Sequence, residues 1–296
     1  MAKNICRTDI YLLLIMLLIS LPVVSQDIRY TTMWFGVNAN PVPTLQEAMV
    51  ADNIKLSSSL FFTTSNDDKT QSLYLDIEIP VISKAVSLRI YGCILEHYSV
   101  AYNLALLRGM DKGKMSGFEG GDFYLQTRIR LLSEKGLWQP NIVLHSTLKT
   151  ASADKVSTRR YFDTPGYFFH LESGKDLISN IKGSDFRLRL VLMTGFMCWE
   201  TSGSLQNDAY MYGLQLIASA KGLSICSELS GYSGWIGKRY GSDYGDKPIV
   251  SRFSLRYNLF ESIQIRVGYE HGLRHFPHNQ IYTGFKWAIP YKIKWE

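Results

Sequence analysis

The sequence predicts an all-β protein: an antiparallel transmembrane up-and-down β-barrel of about 12 strands, within a range of about 10 to 14. Three observations predict it. Apolar and polar residues alternate in a series of similar stretches, the connectors between these stretches alternate in length, and an apolar leader precedes them. Alternation with a period of two places successive side chains on opposite faces of a strand. One face of each strand would then meet lipid and the other would meet water.

The leader, residues 1–25, is predicted to be a cleaved signal peptide. Lys3 and Arg7 precede an apolar run from Ile10 to Val24, and Pro22 interrupts the end of that run. The alternative is an uncleaved anchor. A spanning helix needs roughly 20 apolar residues, which is longer than this run, so we favour the signal peptide.

After the leader, the sequence predicts an N-terminal arm over residues 26–54 and a transmembrane β-barrel over residues 55–296. Asn40 to Pro43 (NPVP) breaks the alternation within the arm, and Leu45 to Ala51 could form a helical turn or two. Two placements stay open: the arm lies inside the barrel, or it is a periplasmic tether. The sequence favours the tether slightly.

Alternation defines the strands. Between Phe186 and Leu192, for example, Leu188 and Leu190 alternate with Arg187 and Arg189. Helical spacing does not account for such segments. The predicted strands are 55–65, 72–80, 84–97, 122–133, 140–149, 165–173, 186–199, 208–220, 223–234, 249–258, 263–272 and 279–288.

Connector lengths and aromatic residues predict the orientation of these strands. Connectors after odd-numbered strands are longer on average than those after even-numbered strands, as expected for long outer loops and short periplasmic turns. The exception is 174–185, a long connector after an even-numbered strand. Five aromatic residues fall at the outer rim in this register and predict an interfacial girdle. They are Trp199, Tyr210, Tyr212, Tyr232 and Trp235.

Composition limits the partners. The formal net charge is +6, but the basic residues are scattered along strands, which argues against nucleic-acid binding. Beyond the leader, Cys93, Cys198 and Cys226 match no metal motif, and free thiols are favoured over one disulfide. We expect no cofactor and no metal. The expected partners are outer-membrane lipid and a small-molecule solute of anionic or polar character.

A stretch from Gly120 to Leu177 carries a family resemblance. It combines Gly-Gly-Asp at 120–122, the alternating YLQTRIRLL at 124–132, Leu-Lys-Thr at 148–150 and Asp-Thr-Pro-Gly-Tyr at 163–167. This stretch resembles the phenol-degradation-pathway barrels of Bacteroidetes-type bacteria. The resemblance implies an outer-membrane β-barrel of about 12 strands that acts as a transporter.

The lumen-facing charged residues are the candidate site. Arginine exceeds carboxylate among them, which would favour an anionic or polar solute. The alternative is that ion pairs across the barrel simply fill its interior. The candidate lumen and selectivity residues are Arg128, Arg130, Lys149, Glu172, Arg187, Arg189, Arg256, Arg266 and Glu270.

The residues do not indicate an enzyme. There is no Gly-x-Ser-x-Gly elbow, and His145 and Ser146, as neighbours on a strand, point to opposite faces. The predicted function is passage of small molecules across the bacterial outer membrane. The alternative is a closed structural barrel that binds a partner through its extracellular loops, mainly 98–121 and 150–164. A soluble periplasmic β-sandwich is a third, less favoured interpretation.

Overall fold

The computed structural model describes residues 29–290, except 66, 83, 154–155, 180–184, 202–204 and 242, so the predicted signal peptide lies outside the described residues. Among the described residues no helix is long and apolar enough to cross a membrane. The described part of the chain has two short helices, α1 (Tyr102–Arg108) and α2 (Gly237–Tyr240), and a 3-10 turn at Val156–Thr158. The strands are β1 (Ile54–Ser65), β2 (Asp68–Ile82), β3 (Val86–Val100), β4 (Ser116–Glu119), β5 (Phe123–Leu132), β6 (Asn141–Lys149), β7 (Gly166–Ser179), β8 (Arg187–Glu200), β9 (Gln206–Ala220), β10 (Leu223–Gly234), β11 (Ile249–Asn258), β12 (Ile263–Arg274) and β13 (Asn279–Ile289).

The strands form one closed antiparallel barrel. Apart from β4 and β5, strands that are neighbours in sequence pair with each other, and β1 pairs with both β2 and β13, which closes the sheet. Strands β4 and β5 pair with β3 in the same register, Glu119 opposite Glu96 and Phe123 opposite Gly92, so together they form one wall strand. The wall therefore has 12 strands, and the predicted fold is confirmed.

A β-bulge in β3 explains why β4 and β5 are separate. Leu73 pairs with Leu95 but Tyr74 pairs with Cys93, which leaves Ile94 as the extra residue. The wall comes close together beside it, because a Cβ at Gly92 would lie 2.5 Å from the Asp122 carbonyl oxygen. Glycine is therefore required at position 92. The predicted outer loop 98–121 thus contains a strand that the sequence reading missed.

Outward-facing side chains are apolar along the wall. In β1 the exposed Leu60 and Phe62 alternate with the buried Ser59 and Thr63. The same alternation continues around the barrel, which leaves a belt of exposed apolar side chains on its outside. Examples are Ile77, Ile79, Leu88, Ile90, Leu125, Leu192, Leu214, Leu216, Phe253, Leu255, Ile265 and Val267.

The two ends of the barrel differ in their connectors. One end, here the loop end, carries 101–115, 150–165 and 235–248, with the shorter 66–67, 201–205 and 275–278. The other, the turn end, carries 83–85, 133–140, 180–186, 221–222 and 259–262. Strand β7 continues to Ser179 through an irregularity between Asp176 and Ile178, so the exceptional long connector 174–185 is not observed.

The N-terminal arm, described from Arg29 to Asn53, runs through the barrel from the loop end to the turn end. Arg29 pairs with Asp243 in a loop-end connector at 2.7 Å, and the Ala51 carbonyl accepts from the Lys84 N–H at the turn end. Its apolar residues build the interior core with inward side chains of the wall. The core includes Phe35, Val37, Ala39, Val42, Leu45, Ala48, Val143, Val191, Met193, Met211 and Val250. The favoured tether placement is wrong, because burying these side chains stabilises an arm inside the barrel.

The predicted aromatic girdle is only partly observed. Tyr210 and Trp235 are exposed on the outside, but Trp199 and Tyr232 are buried in the interior core. The Trp199 Nε1–H donates to the Tyr30 carbonyl of the arm at 3.2 Å. These two aromatics therefore hold the arm and do not meet an interface. The three cysteines in the described part of the chain are free and buried, as favoured from the sequence.

Candidate functional site

A buried ion network lies at the loop end of the barrel interior. Arg160, from the 150–165 connector, donates to Glu96 at 2.6 Å and to Asp68 at 2.8 Å, and Asp68 also accepts from Arg108 at 2.6 Å. Glu96 further accepts from Asn38 of the arm at 2.7 Å and from Tyr161 at 2.8 Å. This loop-end network ties two connectors, two strands and the arm together.

Burial lowers the pKa of both Arg160 and His278 at this end of the barrel, but the net shifts have opposite directions because of the neighbouring charges. Burial disfavours the charge on Arg160, but Glu96 and Asp68 outweigh it and raise its pKa above the ordinary value. His278 is 1% exposed, and burial lowers its pKa to about 3, with Arg108 and Arg160 adding to the effect and Asp68 opposing it. His278 is therefore neutral in the folded protein.

Midway along the barrel, Arg252 joins three strands to the arm. It donates to Glu228 at 2.7 Å, to Glu270 and to the Val42 carbonyl at 2.7 Å. Glu270 also accepts from Gln280 at 2.5 Å. The two carboxylates share one guanidinium, so the predicted residue Glu270 belongs to a compact polar cluster that fixes the arm.

A second anchor lies nearer the turn end. Glu172 accepts the backbone N–H groups of Gln46 and Ala48, both at 2.7 Å. Arg128 pairs with Glu78 at 2.7 Å and donates to the Met49 and Gln46 carbonyls. Both predicted residues therefore hold the arm backbone, whose polar groups have no strand partner.

At the turn end, arginines hold the arm around Glu47. Arg256 pairs with the Glu47 carboxylate, and Arg189 donates to the Glu47 carbonyl at 3.0 Å. Arg189 also pairs with Asp176 at 2.7 Å and with Glu134 at 2.9 Å. Arg187 pairs with Asp176 at 2.8 Å and is 40% exposed at its side chain.

The nine predicted residues all lie on the inward register of their strands, but they do not form one site. Lys149 is buried and pairs with Asp122 at 2.6 Å near the loop end, far from the turn-end arginines. Arg130 lies opposite Val143 toward the turn end. Arg266 donates to Ser59 at 2.6 Å, and its Nε has no partner in the described part of the chain.

Between the arm and the wall, the described part of the barrel contains two cavities that bear on function. The larger, about 220 Å³, lies mainly against β1, β2, β3, β12 and β13 and extends to β5, β7 and β11. Its aromatic faces include Phe61, Tyr74, Tyr91 and Tyr282. The smaller, about 150 Å³, lies nearer the turn end. The two cavities adjoin, because eight residues line both of them. The shared residues are Thr44, Gln46, Lys55, Glu78, Arg252, Arg266, Tyr282 and Lys286.

Of the lysines and arginines that line these cavities, three have no carboxylate partner among the described residues. Among the described residues, Lys55 and Lys286 have neither a hydrogen bond nor an ion pair within 4 Å, and the nearby carboxylates Glu47 and Glu78 are held by arginines. Arg266 is the third, with its single bond to a hydroxyl. Lys55, Arg266 and Lys286, here called the free-cation group, are the charges left over once the arm is anchored.

Sequence reasoning missed several of these residues. Lys55 and Lys286 could have been found, because they occupy inward positions of the predicted first and last strands. Glu96 was hidden by the bulge at Ile94, which inverts the alternation after it. Arg160 lies in the predicted outer loop 150–164, outside the predicted strands, so alternation could not select it, although its side chain is fully buried.

Comparisons with known proteins show the fold. The sequence matches no protein-family model and no curated protein. Among solved structures, an outer-membrane channel from Pseudomonas putida F1 has a TM-score of 0.59 at 10% identity, covering 83% of this chain and 99% of that one. The NanC porin has a TM-score of 0.51 at 9% identity, covering 79% and 100%.

The KdgM porin in complex with disordered oligogalacturonate has a TM-score of 0.45 at 10% identity, covering 79% of this chain and 99% of that one. At such identities, likeness shows the architecture alone. The chain thus shares the fold of outer-membrane channel barrels, and its resemblance to the phenol-degradation-pathway family stays a prediction.

Proposed function

We propose that this chain is a channel of the bacterial outer membrane that passes small anionic or polar solutes through the space beside its arm. The belt of outward apolar side chains supports a membrane location, because a closed barrel satisfies its backbone and presents that belt to lipid. The longer connectors would then lie outside the cell. The fold shared with outer-membrane channels is consistent with this proposal.

The observation that carries the solute preference is the free-cation group. Elsewhere in the interior, paired charges neutralise one another and fix the arm. These ion pairs therefore fill the barrel and contribute little to selection among solutes. Lys55, Arg266 and Lys286 face two adjoining cavities without a carboxylate of their own. Unpaired positive charges lining a pore attract anions and repel cations. Of the nine predicted lumen residues, Arg266 then acts in selectivity, and most of the others position the arm.

The aromatic faces of the larger cavity extend this proposal. Phe61 and Tyr282 stack at 4.9 Å, and Tyr91 stacks on Tyr124 at 5.0 Å. Such faces offer contact to the apolar part of a solute while the cations meet its charged group. Small organic anions therefore fit the path better than simple sugars.

The reversal potential of single channels in a planar bilayer, under a KCl gradient, tests the proposal. The wild type should prefer chloride, and Lys55→Gln/Lys286→Gln should lower that preference. A unit charge about 8 Å from an ion in water contributes about 0.5 kcal/mol, or roughly a twofold change for each lysine. The control Lys69→Gln/Lys221→Gln removes two exposed charges outside the cavities and should leave the reversal potential unchanged.

A closed, partner-binding barrel is the second candidate. The loop-end network favours it, because Arg160 and Asn38 join the arm and the connectors across the loop end. Absence of conductance in the wild type, together with its absence in Arg128→Ala and Arg187→Ala, would refute the channel and leave this candidate.

A further inference from the structure

Two histidines lie side by side on the inner wall without a function in the arm's anchoring. His145 on β6 and His170 on β7 are register partners, and their rings stack with centroids 4.3 Å apart. Glu172 is the next inward residue on β7. The side chains of all three are at most 2% exposed. The adjacent strands therefore bring two imidazoles and one carboxylate to a single buried point.

The ring nitrogens of these histidines need explanation. All four, Nδ1 and Nε2 of His145 and of His170, are buried without a hydrogen-bond partner in the described part of the chain. A buried polar group left unsatisfied costs about 1–3 kcal/mol, so four together are expensive. A ligand that accepts the lone pair of one nitrogen in each ring would remove about half of that cost.

The geometry points to a metal ion. The Nε2 atoms of His145 and His170 each lie 3.7 Å from an oxygen of Glu172. If an ion lay about 2.1 Å from both the nitrogen and the oxygen of such a pair, the N–metal–O angle would be about 125°, which is near the tetrahedral angle. One ligand atom from each of the three residues lies within 4.8 Å of the other two. Rotation of the two imidazoles out of their stacked arrangement would place these atoms around one centre.

We propose that His145, His170 and Glu172 bind a divalent transition-metal ion of the zinc type. Two imidazoles and one carboxylate suit zinc, whereas calcium and magnesium prefer oxygen ligands alone. The neighbouring positive charges are already neutralised, because Arg128 pairs with Glu78 and Arg89 pairs with Asp76. Glu172 therefore supplies the charge that the ion needs.

The surroundings supply both support and access. The N–H groups of Gln46 and Ala48 orient the Glu172 carboxylate, as outer partners of metal ligands commonly do. His170 lines the larger cavity, which gives the ion a way in and a place for a coordinated water. The site would join wall strands to the arm through Glu172, so metal binding should strengthen the hold on the arm. This proposal does not depend on solute passage.

Equilibrium dialysis of the folded full-length mature chain against zinc, after removal of metals with a chelator, tests the site. One zinc per chain is expected, and the His145→Gln/His170→Gln variant should lose it. The matched control is His97→Gln/His271→Gln, which removes two exposed histidines and should retain it. Heat-modifiable gel migration shows whether each variant is folded.

A second measurement keeps the test decisive if the double variant does not fold. Cobalt added to the metal-free wild type should give the visible absorption of a four- or five-coordinate ion, and X-ray absorption at the zinc edge should show two imidazole ligands. Absence of saturable zinc binding in the wild type overturns the proposal. Equal binding by the wild type and a folded His145→Gln/His170→Gln variant does so too.

Discussion

Replacing Arg160 with methionine should destabilise the barrel strongly. Arg160 makes three bonds in the loop-end network, to Glu96, Asp68 and Thr70, and its side chain is 0% exposed. Methionine keeps much of the apolar stem but no charge. Asp68 retains Arg108 at 2.6 Å, whereas Glu96 loses its cation and keeps only neutral donors. One uncompensated buried charge remains, which costs about 3–5 kcal/mol.

The free energy of unfolding in urea, followed by tryptophan fluorescence in lipid vesicles, measures this cost. Arg160→Met/Glu96→Gln removes the stranded charge and should recover at least about 2 kcal/mol of the loss. Arg187→Met is the matched control, because Arg187 is 40% exposed and its pair with Asp176 should contribute less than about 1 kcal/mol. Equal costs for Arg160→Met and Arg187→Met, or no recovery of stability on adding Glu96→Gln to Arg160→Met, would contradict this expectation.

Three further predictions concern stability. His278, with its pKa lowered to about 3, binds no proton between that pH and its unfolded value of about 6.5, whereas the unfolded chain does. The free energy of unfolding is therefore unaffected by His278 above about pH 6.5, and it falls by about 1.4 kcal/mol per pH unit as the pH decreases from 6.5 towards 3. Urea titrations at several pH values should show that the free energy of unfolding depends less steeply on pH in His278→Gln than in the wild type. Equal pH dependence in the two proteins would contradict this. Gly92→Ala should lower the free energy of unfolding by about 1–3 kcal/mol, because its Cβ would meet the Asp122 carbonyl oxygen. Gly120→Ala is the control, because its Cβ would lie 3.8 Å from the Ile94 carbonyl oxygen and should change the same free energy little. Equal losses of stability in the two variants would contradict this expectation. A Cβ at Gly213 would lie 2.6 Å from Leu45 Cδ1 of the arm, so truncation of Leu45 should make room for it. The losses of unfolding free energy in Gly213→Ala and in Leu45→Ala should therefore sum to more than the loss in the double variant. Strict additivity would show that the two positions are not coupled.

The wall was predictable from the sequence because each strand repeats a local rule. Alternation such as that of Arg187 and Arg189 with Leu188 and Leu190 fixes which side faces lipid, and it needs no knowledge of the rest of the chain. Irregular positions defeated the rule. The bulge at Ile94 inverted the inward set and hid Glu96, and the irregularity between Asp176 and Ile178 made the end of β7 read as a connector.

The interior was less predictable because its contacts join distant parts of the chain. The arm has no periodicity, and its placement depends on complementary groups such as Glu172 on β7 and Trp199 on β8. Alternation predicts that the side chains of Arg128 and Arg256 point into the barrel, but it does not predict which residues they pair with. Which cations remain free could be known only after each carboxylate had been assigned to an arginine.

The path of the arm constrains how the barrel is assembled. The chain enters at the loop end, near Asp243, and reaches the turn end before β1 begins at Ile54. The seam joins β1 to β13, so it forms only after β13 has been made. Either the sheet wraps around an arm that is already in place, or the arm threads into a finished cylinder. Since the interior core consists of arm and wall together, wrapping lets closure and core formation proceed as one cooperative step, whereas a bulky fusion ahead of Arg29 would obstruct threading.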